Sequence, residues 1–204
     1  MPWPKEPAAA AVTFSKKPFG TARIAGSGDE PINLSGMFEP DLSMTLSACN
    51  RHVVLVAPEV HWNTGNIGRT CLGVGAMLHL IRPLGFSLAD RQVKRAGLDY
   101  WPRVPLRVWD DFDQFTESMA PGEAEIALLT KSGAQPYWRM PMPNRLFMVF
   151  GSETRGLPAS LLTRYSRCTF FIPMQSQIRC LNLSTAVGIV LYENLRQWAM
   201  RLSL

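Results

Sequence analysis

Three short stretches concentrate the side chains that could do chemistry. PEVHWNTGNIGRT (58–70) carries Asn63 and Arg69, GSETRGLP (151–158) carries Glu153 and Arg155, and MQSQIRCLNLS (174–184) carries Cys180, Asn182 and Ser184. Arginine binds phosphate and stacks on bases more readily than lysine does, so arginines set close to asparagine or glutamate suit a polar, phosphate-bearing ligand. Glycines 65, 68 and 73 crowd Arg69. Each costs about 1 kcal/mol relative to alanine inside a helix, so they call for close backbone contact or an unusual turn. Taken alone, this stretch reads equally well as a tightly packed helix start or as a ligand loop.

Several other chemistries lack their residues. GVGAML (73–78) is the nearest string to a dinucleotide fingerprint, but it misses the third glycine and precedes a strand pattern. No GxxxxGK[ST] phosphate loop occurs, and GSETRG does not fit the GxSxG of serine hydrolases. The cysteines Cys49, Cys71, Cys168 and Cys180 show no CxxC spacing, and only His52, His61 and His79 stand beside them. Free thiols are therefore expected, and no metal site.

The elements that must position these stretches follow from apolar patterning. VVLVA (53–57), MLHLI (77–81), EIALL (125–129), LFMVF (146–150) and TFFIP (169–173) are unbroken apolar runs of strand length, as in a parallel sheet buried on both faces. Each of the three polar stretches follows one such run and leads into a helix candidate. Helices are expected over 66–76, over SLADRQVKRA (87–96), from Pro158 onward, and over 183–200. In the last, Leu183, Ala186, Val187, Val190, Leu191, Leu195 and Trp198 recur at helical spacing. Alternating strands and helices predict an α/β domain with a mainly parallel sheet, whose ligands bind at the carboxyl ends of the strands.

The chain has 204 residues, 47% of them hydrophobic and 18% charged, enough for one domain with an appended segment. Residues 1–50 are rich in Pro, Ala, Ser and Gly and read as an irregular N-terminal extension, leaving 51–204 as the folded domain. The extension lacks an apolar core of signal-peptide length, and no apolar run is long enough for a membrane helix, so a cytoplasmic protein is expected. Residues 51–204 carry 17 Lys/Arg against 11 Asp/Glu, and 15 of those 17 are arginine. That balance is compatible with a nucleic-acid partner. Arg91, Lys94 and Arg95 would form either an RNA-facing stripe or a solvated helix face.

NTGNIGRT, FGSETRGLP and IPMQSQIRCLNLSTAVGIVLYE, in this order and at these strand ends, resemble the three motifs of the SPOUT-class RNA 2′-O-ribose methyltransferases. RPLGFSLADRQVKRAGLDYW resembles a segment of the subfamily that methylates the wobble nucleotide of tRNA, cytidine or uridine 34. The resemblance covers roughly residues 52–198. It implies a C-terminal deep trefoil knot, a rare exception to the rule against knotted chains. It further implies S-adenosyl-L-methionine as cofactor, S-adenosyl-L-homocysteine as product, tRNA as substrate, and a homodimer with active sites formed across the subunit interface.

Carried over by position, the cofactor residues would be Leu128, Thr130, Gly151, Ser152, Glu153, Ile172, Met174, Cys180, Leu181 and Leu183. The catalytic set would be Arg69, Asn63, Glu153 and Asn182. Asn63 would orient Arg69 or the ribose, and Glu153 and Asn182 would fix the motif loops. Arg69, Lys131, Arg155, Tyr192 and Ser184 would meet the RNA. On this reading the glycines of 63–71 give ribose and phosphate room to approach the backbone. Two departures stand out: HWN (61–63) replaces a proline-rich approach to Asn63, and Cys180 stands where many members have serine. The same chemistry at another tRNA or rRNA site, a non-catalytic RNA-binding protein of this fold, and a nicotinamide or flavin enzyme are the rival readings.

Overall fold

The computed structural model describes residues 50–88 and 100–202. All but Ser87 and Leu88 of the expected helix over 87–96, including Arg91, Lys94 and Arg95, and all of the expected extension before Asn50 lie outside these residues.

Seven parallel strands form one sheet: β1 (Asn50–Val56), β2 (Met77–Ile81), β3 (Leu106–Trp109), β4 (Ile126–Leu129), β5 (Gln135–Pro136), β6 (Arg145–Phe150) and β7 (Thr169–Phe171). Their order across the sheet is β3-β2-β1-β6-β4-β7-β5. Among the described residues, four α-helices flank it: α1 (His61–Val74), α2 (Phe112–Met119), α3 (Ala159–Arg164) and α4 (Leu183–Leu202).

The unbroken apolar runs arise because side chains alternate between two cores. Val53 and Leu55 of β1 face α1 and α4, where Ile67, Cys71, Val187, Val190, Leu191 and Trp198 are buried. Val54 and Val56 face α2 and α3 through Phe112, Phe115, Leu157 and Leu161. Both faces are covered, so both phases of the strand run mainly apolar, and the buried polar residues Arg51, His52 and His79 must be hydrogen-bonded. All members of the expected stripe on α4 are buried except Ala186, which packs at the edge of the same core.

α4 is also held by a buried arginine. Arg51, 1% exposed, donates from Nε to Asn194 Oδ1 at 2.5 Å and from Nη1 to the carbonyls of Pro143 (3.1 Å) and Asn144 (3.0 Å). Its guanidinium lies 4.7 Å over the Trp198 ring. Carbonyl dipoles and an aromatic face offset the desolvation of this charge.

β3, β5 and α2 were not among the expected elements. β3 is four residues long with Arg107 exposed, and β5 is a two-residue edge strand, so neither makes an apolar run. α2 did carry a local signal. Asp111 caps it by accepting from Gln114 N–H at 2.7 Å, while Gln114 Oε1 accepts from Asp110 N–H at 2.8 Å. The helix expected over 66–76 starts five residues earlier, at His61.

A hydrogen-bonded relay crosses β3, β2 and β1 inside the second core. Trp109 Nε1 donates to His79 Nδ1 at 3.0 Å, the two histidines meet at 2.9 Å (His79 Nε2 to His52 Nδ1), and His52 Nε2 lies 2.7 Å from Asn50 Oδ1. Indole is a donor only, which fixes every proton in turn: His79 carries its proton on Nε2 and donates to His52, which donates to Asn50. Both rings are thus neutral. Burial, reinforced for His52 by nearby arginines and for His79 by His52 and Arg107, pushes both well below the ordinary value of 6.5. The unfolded chain therefore takes up more protons than the folded one once pH falls below 6.5. Stability is complete above that point and is lost below it. Chemical denaturation between pH 7 and pH 5 will show unfolding free energy falling with acid, by at most about 1.4 kcal/mol per pH unit per histidine. In His52→Gln/His79→Gln that part of the slope disappears.

Candidate active site

The sheet reverses its winding between β1 and β6. From β1 the chain steps outward to β2 and β3, whereas β6 borders β1 on one side and β4 on the other. Loops leaving two such strands diverge and open a crevice at their carboxyl ends. The stretches carrying Asn63 and Glu153 leave β1 and β6 at this point.

The loop after β6 is a tight hairpin. Ser152 and Gly156 exchange backbone hydrogen bonds at 3.2 and 2.9 Å, and Gly156 adopts φ of +69°. A Cβ on Gly151 would lie 2.0 Å from the Gly156 carbonyl carbon, so this glycine closes the hairpin. Glu153 at its tip accepts from three donors at the start of α1: Glu59 N–H at 2.8 Å, Val60 N–H at 3.3 Å and Asn63 Nδ2 at 2.9 Å. The residue preceding α1, Val60, has no capping side chain. A carboxylate from the neighbouring loop thus supplies negative charge at this helix N-terminus. Thr154 Oγ1 adds a bond of 2.6 Å to Glu59 Oε1, and Arg155, with a 79% exposed side chain, stands 3.8 Å from the same carboxylate. Glu153 therefore meets Asn63 and two backbone amides, and Glu59 is the partner of Arg155.

The third stretch joins through Asn182. Its Nδ2 donates to Asn63 Oδ1 at 2.9 Å, while its own Oδ1 caps α4 by accepting from Ser184 N–H (2.9 Å), Ser184 Oγ (2.7 Å) and Thr185 N–H (3.3 Å). One continuous series, Glu153–Asn63–Asn182–Ser184, thus binds the three loops together. Asn63 lies inside α1, is 8% exposed, and bridges the other two motifs.

Arg69 lies elsewhere. Six residues along α1 place it roughly 9 Å from Asn63 along the axis and about 120° around it. Asn63 spends its amide on Glu153 and Asn182, so within one chain it does not orient Arg69. The guanidinium instead sits 4.6 Å over the ring of Tyr100 and is exposed. The glycines need correction too. A Cβ on Gly68 would lie 2.6 Å from the Trp101 ring, so this glycine admits an aromatic side chain and leaves no room there for a ribose, while Gly73 faces open space.

The residues assigned to the cofactor follow the adjacent strands β6, β4 and β7. Gly151 and Ser152 leave β6, Thr130 leaves β4, and Ile172 and Met174 leave β7. Cys180 and Leu181 approach α4, and Leu183 is its first residue. Leu128 is buried within β4, its side chain in the second core. Lys131 and Tyr192 are exposed, the latter by 57%. Tyr100, Glu59 and Thr154 were not among the expected site residues. Tyr100 ends the RAGLDY string, which was its available signal.

A model of the SpoU rRNA Methylase family matches residues 50–192. A Listeria innocua serovar 6a protein is 49% identical over 149 residues, 72% of this chain and 87% of its own. A Burkholderia cenocepacia protein named tRNA (cytidine(34)-2′-O)-methyltransferase is 45% identical over 147 residues, 72% of this chain and 94% of that one. A solved structure described as giving insights into the 2-OH methylation of C/U34 on tRNA aligns with a TM-score of 0.68 at 41% identity, covering 74% of this chain and 98% of the other. With the parallel sheet, the three joined motif loops and a match over more than half its length, the chain belongs to the SpoU rRNA methylase family.

Proposed function

We propose that the protein transfers a methyl group from S-adenosylmethionine to the ribose 2′-hydroxyl of nucleotide 34 in tRNA, working in the cytoplasm as a homodimer. The observation that carries this reading is the Glu153–Asn63–Asn182 series, which gathers the three loops at the carboxyl ends of β1, β6 and β7. The relatives named for this reaction support nucleotide 34.

The strand-end residues fit the cofactor. Ile172, Met174 and Leu181 carry partly exposed apolar side chains, and Gly151 and Thr130 leave the neighbouring strands β6 and β4, a combination suited to a flat purine with a polar edge. When bound, S-adenosylmethionine supplies an electrophilic methyl on a sulfonium. The chain must then place a weakly nucleophilic hydroxyl in line with that methyl and stabilise the charge that develops on its oxygen. Arg69 meets the second need, as a permanent cation with free N–H donors. A guanidinium, which holds its proton tightly and has no lone pair to offer, is ill suited to act as base. Arg155 and Lys131 are exposed cations at the same strand ends and would meet RNA phosphates.

The dimer is supported by the placement of Arg69. It lies on a different face of α1 from Asn63, so a second copy would have to bring Arg69 to the loops of the first. Tyr192 and Met200, 57% and 58% exposed on α4, give that helix an apolar outer surface for such a contact. The trefoil knot belongs to the same reading. β7 follows α3 on one face of the sheet, and α4 packs with α1 on the other, so the chain changes faces within 172–182, where the resemblance puts the knot. Residues 1–50 are read as an extension outside the catalytic unit.

Arg69→Ala will lower methyl transfer to tRNA by roughly 10²–10³-fold, while calorimetric binding of S-adenosylmethionine stays close to wild type. Loss of both would place Arg69 in the cofactor site or the fold. Mixing Arg69→Ala with Glu153→Ala, each inactive alone, will restore about a quarter of wild-type activity, because half of the random dimers regain one complete site. No recovery after subunit exchange would show that Arg69 serves its own chain's loops.

A further inference from the structure

We infer that Tyr100 is the positioning residue for Arg69, holding the guanidinium by its face so that its N–H donors remain available to the substrate. This rests on the reading of Arg69 given above. The ring of Tyr100 is itself fixed: the residue is 6% exposed, and its hydroxyl donates to the Gly65 carbonyl at 3.3 Å. Gly65 and Arg69 are one helical turn apart, so the tyrosine spans a single turn of α1, anchored at one end and supporting the cation at the other. The next residue makes this approach close. Trp101 lies where a Cβ of residue 68 would stand, and Val104 flanks the same spot. Backbone bonds from Arg103 to Tyr100 (2.9 Å) and from Val104 to Trp101 (3.1 Å) fold the segment into a rigid turn. Positions 65, 68 and 69 thus form one stripe of α1 onto which the Tyr100–Trp101 pair docks.

The mode of support matters. An arginine held by a carboxylate spends donors and loses net charge. Held by a ring, it keeps both, because the attraction acts through the face of the guanidinium plane. Among the described residues, the Arg69 side chain makes no hydrogen bond or ion pair. Its long side chain is nonetheless restrained, so part of the ordering entropy of the transition state is removed beforehand. Loss of the ring therefore acts on turnover, with little effect on cofactor binding.

The inference is tested by replacing Tyr100 with phenylalanine and with its di- and trifluorinated analogues. These preserve shape while progressively weakening the ring's attraction for a cation. In single-turnover assays on tRNA, Tyr100→Phe will retain most of the rate. The fluorinated series will lose rate stepwise to a total on the order of tenfold, with the dissociation constant of S-adenosylmethionine unchanged. In an Arg69→Ala background the same series will be flat, since a residue acting through Arg69 has nothing left to act on. A flat series in the wild-type background, or an equal decline in both backgrounds, overturns the inference.

A second readout needs no activity. ¹⁵N relaxation of the Arg69 Nε will report an ordered side chain in the wild type and in Tyr100→Phe, and a mobile one in Tyr100→Leu. A mobile Arg69 in the wild type overturns the inference even in a protein that methylates tRNA. An ordered Arg69 in a protein that transfers no methyl group would leave the clamp standing and defeat the functional reading instead.

Discussion

The carboxylate of Glu153 stands where two backbone amides and one side-chain amide converge, and the site is organised around that convergence. The donors belong to the loop after β1 and to α1, the acceptor to the loop after β6, and Asn63 passes the connection on to Asn182 at the head of α4. A hydrogen bond to a charged group contributes about 1.5–3 kcal/mol, roughly twice a neutral one. Three such bonds on one carboxylate are enough to hold a hairpin tip against a helix start. The sheet makes this possible by setting β1 beside β6, so that loops from distant parts of the sequence begin side by side. In turn, the helix that Glu153 caps carries Arg69.

Two polar residues of α1, Asn63 and Arg69, then divide the work. Asn63 faces inward and is used for structure, tying motif to motif. Arg69 faces outward, its donors unspent, and rests on an aromatic ring. Gly68, between them, is explained by what it admits: it makes room for Trp101, whose neighbour Tyr100 bonds the Gly65 carbonyl. Its cost in helix propensity is offset by the docking of a segment that a bulkier side chain at 68 would exclude. An arginine shown outward on one face of a helix and binding loops tied at its N-terminus are what the proposed dimer would bring together.

How much of this was legible depended on how local the cause was. Strands β1, β2, β4 and β6 could be read because both faces of the sheet are buried, which leaves unbroken apolar runs. α4 could be read because its stripe serves a single core. The start of α1 could not. Val60 offers no cap, and the charge that replaces one comes from Glu153, far along the chain. The cap pair Asp111 and Gln114 was a local signal for α2, a helix that was nonetheless not among those expected. β3 and β5 lie at or next to the sheet edges, where few residues need be apolar. The motif resemblance brought Asn63, Glu153 and Asn182 to attention together, and the fold supplied the order of their bonds. The pairing of Tyr100 with Arg69 had no signature in spacing, since only the turn at Trp101 brings them together.

The central claim is that these loops present one ribose hydroxyl, that of nucleotide 34, for methylation. It is tested most directly by transfer of a labelled methyl group from S-adenosylmethionine to paired tRNAs that differ only in a 2′-deoxy substitution at that nucleotide. The account predicts transfer to the ribose form and none to the deoxy form. Equal labelling of both would contradict it, because the methyl group would then be going to another atom.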